Sequence, residues 1–395
     1  MPAYRQRWAQ RLGFGPPTHA GCVWLHAVSV GEVNAALPLI AALRQARPDL
    51  ALLVTTTTPT GSEHLLGQLQ DSVAHCYLPY DLPGAVQRFF RRHRPRLGII
   101  METELWPNLY ATAQALNIPL LLANARLSPR SALGYRRWPQ LSRQTLERLA
   151  AVGAQTTADG DRLVSLGLPP GRLTVTGNLK FDAAAPDPAA GLALRRRLGD
   201  GRPVWLAAST HAGEELAALT AHQALRVAHP DAVLILAPRH PQRFADVARQ
   251  CREHGWATAL RSADNGQACA VYLADSLGEL PALMAAADVV FVGGSLGTSP
   301  TAMGGHNLIE PAQLGKPSLF GPYMDNFSEL RDQVLTAGAG LQVMDAADIA
   351  AQITTLLADT ARRSVMGEAA RALVAQHRGA TVRTLALIEP YLEPG

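Results

Sequence analysis

The sequence predicts an α/β protein of two doubly wound, parallel-sheet domains. Three observations predict it. Short apolar runs alternate with helix-period segments along all 395 residues. That length matches two domains of ordinary size. A stretch with two prolines and few large apolar side chains, residues 181–190, falls near the middle and reads as a linker.

In the first half, residues 22–28, 52–56, 75–78, 97–101, 120–123 and 173–176 read as buried strands. In the second half the same reading falls on residues 204–209, 233–237, 270–273, 289–293 and 318–320. Helical periodicity lies between them. Val33, Ala36, Leu37, Ile40 and Leu43 repeat at the i, i+3, i+4, i+7 spacing, and Pro38 is expected to kink that helix or mark a later start. Strand–helix–strand repeated this way implies parallel sheets covered on both faces. Two such domains facing each other frame a cleft, with one ligand per domain beyond the carboxyl ends of the strands.

Composition narrows the function classes. With 48% hydrophobic and 17% charged residues the chain is not disordered. No apolar run reaches the roughly 18 to 20 residues that span a bilayer. The opening Met1-Pro2-Ala3-Tyr4-Arg5 is not a secretory signal. Cys22, Cys76, Cys251 and Cys269 lie far apart and read as buried thiols of a reduced compartment. Residues 1–180 carry 19 Lys and Arg against 10 Asp and Glu, a net +9; residues 181–395 carry 17 against 22, a net −5. The basic first half suggests an anionic partner: nucleic acid, phospholipid or an acidic substrate. No module interleaves this charge with exposed aromatics, which argues against nucleic acid.

The residues to examine are those just after strands. Ser29-Val30-Gly31-Glu32 follows the first run; Gly31 permits a tight turn, and Glu32 falls in the first helical turn. There it either complements the helix dipole or serves as a general base. Glu102-Thr103-Glu104 follows the fourth run, with Glu102 nearer the strand end and so facing the cleft; Trp106-Pro107 stiffens the loop. Carboxylates from two neighbouring strand ends can act as base and orienter. Arg126 and Arg136 belong to a basic region that includes Arg88, Arg91, Arg92, Arg94 and Arg96. Lysine is rare, and Lys180 lies where the halves join; it reaches a ligand or is an ordinary exposed residue.

In the second half, Ser209-Thr210-His211 sits at a strand-to-helix junction and binds an anion or caps the helix. Arg239, held between Pro238 and His240-Pro241, suits phosphate or carboxylate. Gly293-Gly294-Ser295 and Gly304-Gly305-His306-Asn307-Leu308-Ile309-Glu310 let backbone approach a ligand. Asn307 can cap a helix whose N-terminus holds phosphate, and Glu310 is a capping-box partner or an acceptor for a ribose diol. This is neither a Walker motif nor GxGxxG, so no ATP or hydride-transfer cofactor is expected. No Asp-x-Asp or His-rich cluster supplies a metal site, and His306 reads as structural.

These motifs, in this order, resemble the 3-deoxy-D-manno-octulosonic acid (Kdo) transferases of Gram-negative lipopolysaccharide synthesis. The matching pieces include His26-Ala-Val-Ser-Val-Gly-Glu32, Met101-Glu-Thr-Glu-Leu-Trp-Pro-Asn108, Ala123-Asn-Ala-Arg126, Thr176-Gly-Asn-Leu-Lys-Phe-Asp182, Ser209-Thr-His211, Pro238-Arg-His240 and Gly305-His-Asn-Leu-Ile-Glu310. The resemblance covers nearly the whole chain. It implies the GT-B glycosyltransferase fold, with an acceptor domain at 1–182 and a donor domain at 183–395 whose last helix can cross back. It implies transfer of Kdo from CMP-Kdo to a lipid A precursor, lipid IVA, with inversion. Glu32 would be the base, Glu102 would support the transition state, and Lys180 would reach the donor side. CMP would meet Pro238 and Arg239, the loop of Gly278, Glu279 and Leu280, and Asn307 through Glu310 with the ribose on Glu310. Ser209, Thr210, His211, Gly293, Gly294, Ser295 and Gly305 complete the donor set; Ser29, Gly31, Arg126 and Arg136 face the acceptor.

Family members usually begin with a hydrophobic anchor that this chain does not show. Peripheral contact with the cytoplasmic face of the inner membrane is therefore expected, through Trp8 among Arg5, Arg7 and Arg11 in an amphipathic stretch from Tyr4 to Phe14. The loop at residues 296–303 looks longer than in typical members. A GT-B enzyme using a UDP-sugar, and a non-catalytic nucleotide-sugar-binding module, are the alternatives.

Overall fold

The computed structural model describes residues 4, 6–185, 187–263, 266, 268–297 and 303–392. The chain forms two compact units: residues 1–184 with 377–395, and residues 185–376. The expected long loop at 296–303 and the expected membrane-facing Arg5 fall wholly or partly outside the described residues.

The first unit holds β1 (Val23–His26), β2 (Leu52–Thr56), β3 (Ala74–Tyr77), β4 (Leu97–Met101), β5 (Leu120–Ala125), β6 (Ala151–Ala154) and β7 (Leu173–Val175). They form one parallel sheet in the order β3-β2-β1-β4-β5-β6-β7. Side chains alternate across it. Val23 and Leu25 pack with Leu39, Ile40 and Leu43 of the helix Val30–Ala46. Trp24 points to the other face, against Phe89 and Phe90 of the helix Pro83–His93. Both faces are covered at the central strands, so β1, β2, β4 and β5 read as mostly apolar runs.

The second unit repeats the plan with β8 (Val204–Thr210), β9 (Val233–Pro238), β10 (Thr258–Leu260), β11 (Val271–Leu273), β12 (Val289–Val292), β13 (Ser318–Phe320) and β14 (Gly340–Gln342). Its parallel order is β10-β11-β9-β8-β12-β13-β14. Trp205 and Ala207 of β8 share a core with Leu219 and Leu225 of the helix Glu214–Ala228.

Four expectations need correction. Strands β6, β10 and β14 escape the apolar pattern. β6 is Ala-Val-Gly-Ala, and the other two are three-residue edge strands. Pro38 sits inside a helix that runs uninterrupted for 17 residues. The ladder bond it cannot donate would have ended on the carbonyl of Asn34, a residue at an exposed position. The linker is also shorter than expected. Leu179–Asp182 is a 3₁₀ turn, and a helix starts at Pro188 behind an Asp187 cap. Of the N-terminal basic cluster, Arg11 turns inward. Arg11 is only 1% exposed, donates to the Thr57 carbonyl at 2.8 Å and lies 4.2 Å above the Tyr77 ring. Arg7 covers the same ring and donates to His75 Nδ1.

The helix Ala380–Ile388 closes the first unit by packing on Val30–Ala46 through Ala380 and Ile388. All four cysteines are free and buried; burial pushes the Cys76 thiol up to about 12. Among the described residues no helix is long and apolar enough to cross a membrane.

Candidate active site

Each sheet has a topological switch point, between β1 and β4 in the first unit and between β8 and β12 in the second. Open parallel sheets bind ligands at such points. Glu32 and Glu102 follow the two strands at the first point, and Ser209–His211 and Gly293–Ser295 stand at the ends of the two strands at the second.

In the first unit Glu32 follows β1. Ser29 is the N-cap of the helix Val30–Ala46 in an extended conformation, Gly31 is exposed, and Glu32 is the third helical residue. Its carboxylate turns back to accept the Val28 N–H at 2.7 Å. The Val28 carbonyl in turn accepts from Thr57 N, Thr58 N and Thr58 Oγ1. The base candidate therefore rests on a tied-down turn.

Glu102 follows β4 with φ +55°. A left-handed glutamate costs on the order of 1 kcal/mol, and such strain concentrates at functional sites. Its backbone N–H still pairs with β5, on the Ala123 carbonyl. The side chain accepts from Lys180 Nζ at 2.9 Å, with Arg126 Nε at 3.8 Å. Lys180 thus sits on Glu102 within the first unit. Its turn hangs on Asn124, itself at φ +55°, whose Oδ1 accepts the Leu179 N–H at 2.9 Å. From the other side Asp182 accepts the N–H groups of Gly379 and Thr381. Glu104 takes the Trp106 indole N–H at 2.8 Å. Arg136 is exposed and reaches Ser165 Oγ at 3.4 Å, apart from this constellation.

Three carboxyls crowd two cations here, and the protons respond. Burial pushes Glu32 up to about 8; the Glu102 charge adds to the rise, while the Val28 N–H and Lys180 oppose it. Glu104 is also raised, by burial first. Beneath them His26 is fully buried and its pKa is driven down to about 4, which keeps the imidazole neutral.

In the second unit β8 ends in a bulge at Ser209, φ +54°, which shifts the register between Ala208 and Thr210. Thr210 and Ser209 are not caps. The N-cap is Gly213, and the buried Thr210 hydroxyl donates to Glu215 at 3.1 Å. Arg239 is exposed beyond Pro238, its N–H on the Thr210 carbonyl at 3.0 Å. His211 Nε2 meets His306 Nε2 at 2.9 Å, with the rings 12° from parallel. Burial drives the His306 pKa down to about 3, with the His211, Arg239 and His240 charges adding. Among the described residues no cluster could hold a metal ion.

The glycine motif is packed from within. A Cβ on Gly293 would come within 2.7 Å of a Glu214 oxygen. Ser295 is buried; its hydroxyl donates to the Val292 carbonyl and accepts from Gly321 N. Gly305 donates to the Gly294 carbonyl at 2.9 Å. Asn307 accepts the Ile309 N–H at 3.0 Å and donates to Glu310 Oε1 at 3.3 Å, which opens the short helix Ile309–Gln313. Leu308 and Ile309 are buried, so they offer a ligand backbone alone. Gly278 has φ +82°, and Leu280 begins the helix Leu280–Ala286. Glu279 is committed to a forked pair with Arg261 at 2.6 to 3.1 Å, which holds its carboxyl below the usual range.

The sequence assigned no site role to Asn124, Asp182, Glu214 or Arg261, although Asn124 and Asp182 lie within the matching motifs. For Glu214 a signal existed: a carboxylate directly after Gly213 at a strand-to-helix junction. The others depend on partners distant in the chain.

A family model for 3-deoxy-D-manno-octulosonic-acid transferase matches residues 6–183. The chain is 39% identical to the 3-deoxy-D-manno-octulosonic acid transferase of Haemophilus influenzae, over 99% of this chain and 93% of that one. It is 44% identical to the Bordetella pertussis enzyme of the same name, over 95% and 89%. Among solved structures, the UDP complex of Staphylococcus aureus MnaA aligns with TM-score 0.65 at 16% identity, over 94% of this chain and 96% of that one. The Neisseria meningitidis UDP-GlcNAc 2-epimerase aligns with TM-score 0.63 at 16% identity, over 93% and 100%. At that identity the likeness shows the fold alone, and the fold is GT-B. The two enzymes matched over nearly their whole length show the family: the chain belongs to the 3-deoxy-D-manno-octulosonic acid transferases and is a Kdo-transferring glycosyltransferase.

Proposed function

We propose that the protein moves Kdo from CMP-Kdo onto a lipid A precursor, lipid IVA, with inversion at the anomeric carbon. The observation that carries this is Glu32, pinned on the Val28 N–H beside the Glu102–Lys180 pair. A carboxyl with raised proton affinity suits a base that takes the acceptor hydroxyl's proton. As that proton moves to Glu32, the acceptor oxygen bonds the anomeric carbon. The bond from that carbon to the phosphate oxygen breaks, and CMP leaves as a phosphate monoester dianion. Glu102 orients Lys180, whose ammonium offsets the charge developing nearby. Ser29, Gly31 and Arg126 line the acceptor side, with Arg136 farther out on the same unit.

The second unit takes CMP. Arg239 and the Asn307–Ile309 turn supply positive charge and amide donors for the phosphate, Glu310 accepts from the ribose, and the Gly278–Leu280 loop meets the nucleotide. Ser209, Thr210, His211, Gly293, Gly294, Ser295 and Gly305 form the floor. Calorimetry of the full chain with CMP and with UDP tests the nucleotide reading. CMP is expected to bind at least about tenfold tighter, the worth of roughly one good hydrogen bond. Equal or tighter UDP binding overturns it in favour of a UDP-sugar donor.

The anionic inner-membrane surface, on its cytoplasmic side, is the proposed docking partner. Trp138 is 70% exposed, with exposed Leu133 and Leu141 near it in sequence and Arg130, Arg136 and Arg137 flanking. Trp8 is a second exposed aromatic, edge-on to Tyr80 at 5.9 Å. Each basic residue near such a surface adds on the order of 1 kcal/mol, screened by salt. The chain should co-sediment with vesicles containing anionic lipid and release as salt rises. Binding to neutral vesicles with no salt dependence contradicts this.

A further inference from the structure

Glu214 is the first residue of the helix Glu214–Ala228 and is 2% exposed. Its Oε2 accepts the N–H groups of His211 at 2.9 Å and Gly294 at 2.7 Å. Its Oε1 accepts those of Ser295 at 2.9 Å and Leu296 at 3.0 Å. Four amides from the two strand ends at the switch point thus converge on one carboxylate. Three of them, from residues 294–296, are consecutive. Successive amides aimed at one spot form an anion-binding nest, and this one is filled by the protein itself. The glycine at 293 leaves room for Glu214, not for a ligand: a Cβ there would come within 2.7 Å of the carboxylate. Among the described residues no ion pair joins Glu214, so amide dipoles and the helix N-terminus balance its charge.

We propose that Glu214 is a positioning residue for the donor phosphate, acting as an internal anion. It holds the 293–296 turn in one shape and denies those amides to phosphate. Through the Gly305 N–H on the Gly294 carbonyl it also sets the approach to the Asn307–Ile309 turn. The phosphate is thereby sent to Arg239 and the Asn307 side instead of the glycine nest. This rests on the reading of the second unit as the donor unit.

The test uses the full chain carrying Glu214→Gln, Glu214→Asp or Glu214→Ala, with CMP and inorganic phosphate as probes in calorimetry and a thermal midpoint for each. Glutamine keeps the shape but turns an NH₂ group toward amide donors. CMP affinity should fall by roughly 10- to 100-fold, the range for losing charge-assisted hydrogen bonds. Aspartate should fall less. Alanine vacates the nest, so that variant should bind inorganic phosphate at a second site that CMP does not displace. A purely stabilising residue would lower the midpoint and leave the CMP affinity of the folded protein unchanged. CMP affinity within about twofold of the parent in folded Glu214→Gln overturns the proposal. A folded Glu214→Ala without new phosphate binding does so as well; if alanine does not fold, glutamine decides. A parent chain that binds no CMP overturns the donor reading instead, and the alanine–phosphate result still judges Glu214.

Discussion

Glu32→Gln is expected to cut transfer by roughly 10²- to 10⁴-fold, the scale of a missing general base, while CMP affinity stays within about twofold. Glutamine preserves volume and still accepts the Val28 N–H through its amide oxygen, so the turn survives. What disappears is the capacity to take a proton. The motifs proposed to hold the nucleotide belong to the other compact unit, which is why CMP affinity should not move. Turnover near the parent rate would transfer the base role elsewhere, and Glu102 is the first group to test.

Lys180→Met is expected to lower kcat/KM by roughly 10²- to 10³-fold, the range seen when one electrostatic stabiliser of a transition state is removed. The ammonium is the nearer of the two cations on Glu102, 2.9 Å against 3.8 Å for Arg126. Without it three carboxyls face one guanidinium. Glu32 then holds its proton more tightly, and the positive charge proposed to offset the developing phosphate charge is lost. Lys180→Arg should recover only part of the rate, because a planar fork does not reproduce a compact ammonium. Activity within about threefold of the parent would mean that the pair only ties Glu102 to the turn at residues 179–182.

The architecture was legible wherever a strand is covered on both faces. β1, β2, β4 and β12 are fully buried and appear as runs that are apolar but for His26, Thr55 and Thr56. β6 was not, because Ala151 and Gly153 fill a tight place with little side chain; a Cβ on Gly153 would meet Thr176 Oγ1 at 2.9 Å. The candidate residues at the strand ends were legible because polar motifs directly follow the strand runs, and the family resemblance then suggested roles for them. What could not be read was pairing over distance. Glu214 meets Gly294 from 80 residues away, and Asp182 meets Gly379 from 197. Arg11 was expected at a lipid surface. The ring that captures it, Tyr77, belongs to a strand whose position beside the N-terminal segment no local pattern announces.

The central claim is that Glu32 is the group whose proton state governs transfer. The pH dependence of kcat/KM tests it most directly, because that quantity reports the free enzyme. A base must be deprotonated, so the rate should rise with pH along a limb centred near 8, where burial and Glu102 place Glu32. Glu102 raises that value and Lys180 lowers it. Glu102→Gln should therefore move the limb to lower pH, and Lys180→Met should move it to higher pH. Opposite displacements in the two variants are the predicted result. A limb at the same pH in all three proteins, or one at ordinary carboxylate values in the parent, would contradict the assignment of Glu32 as the base.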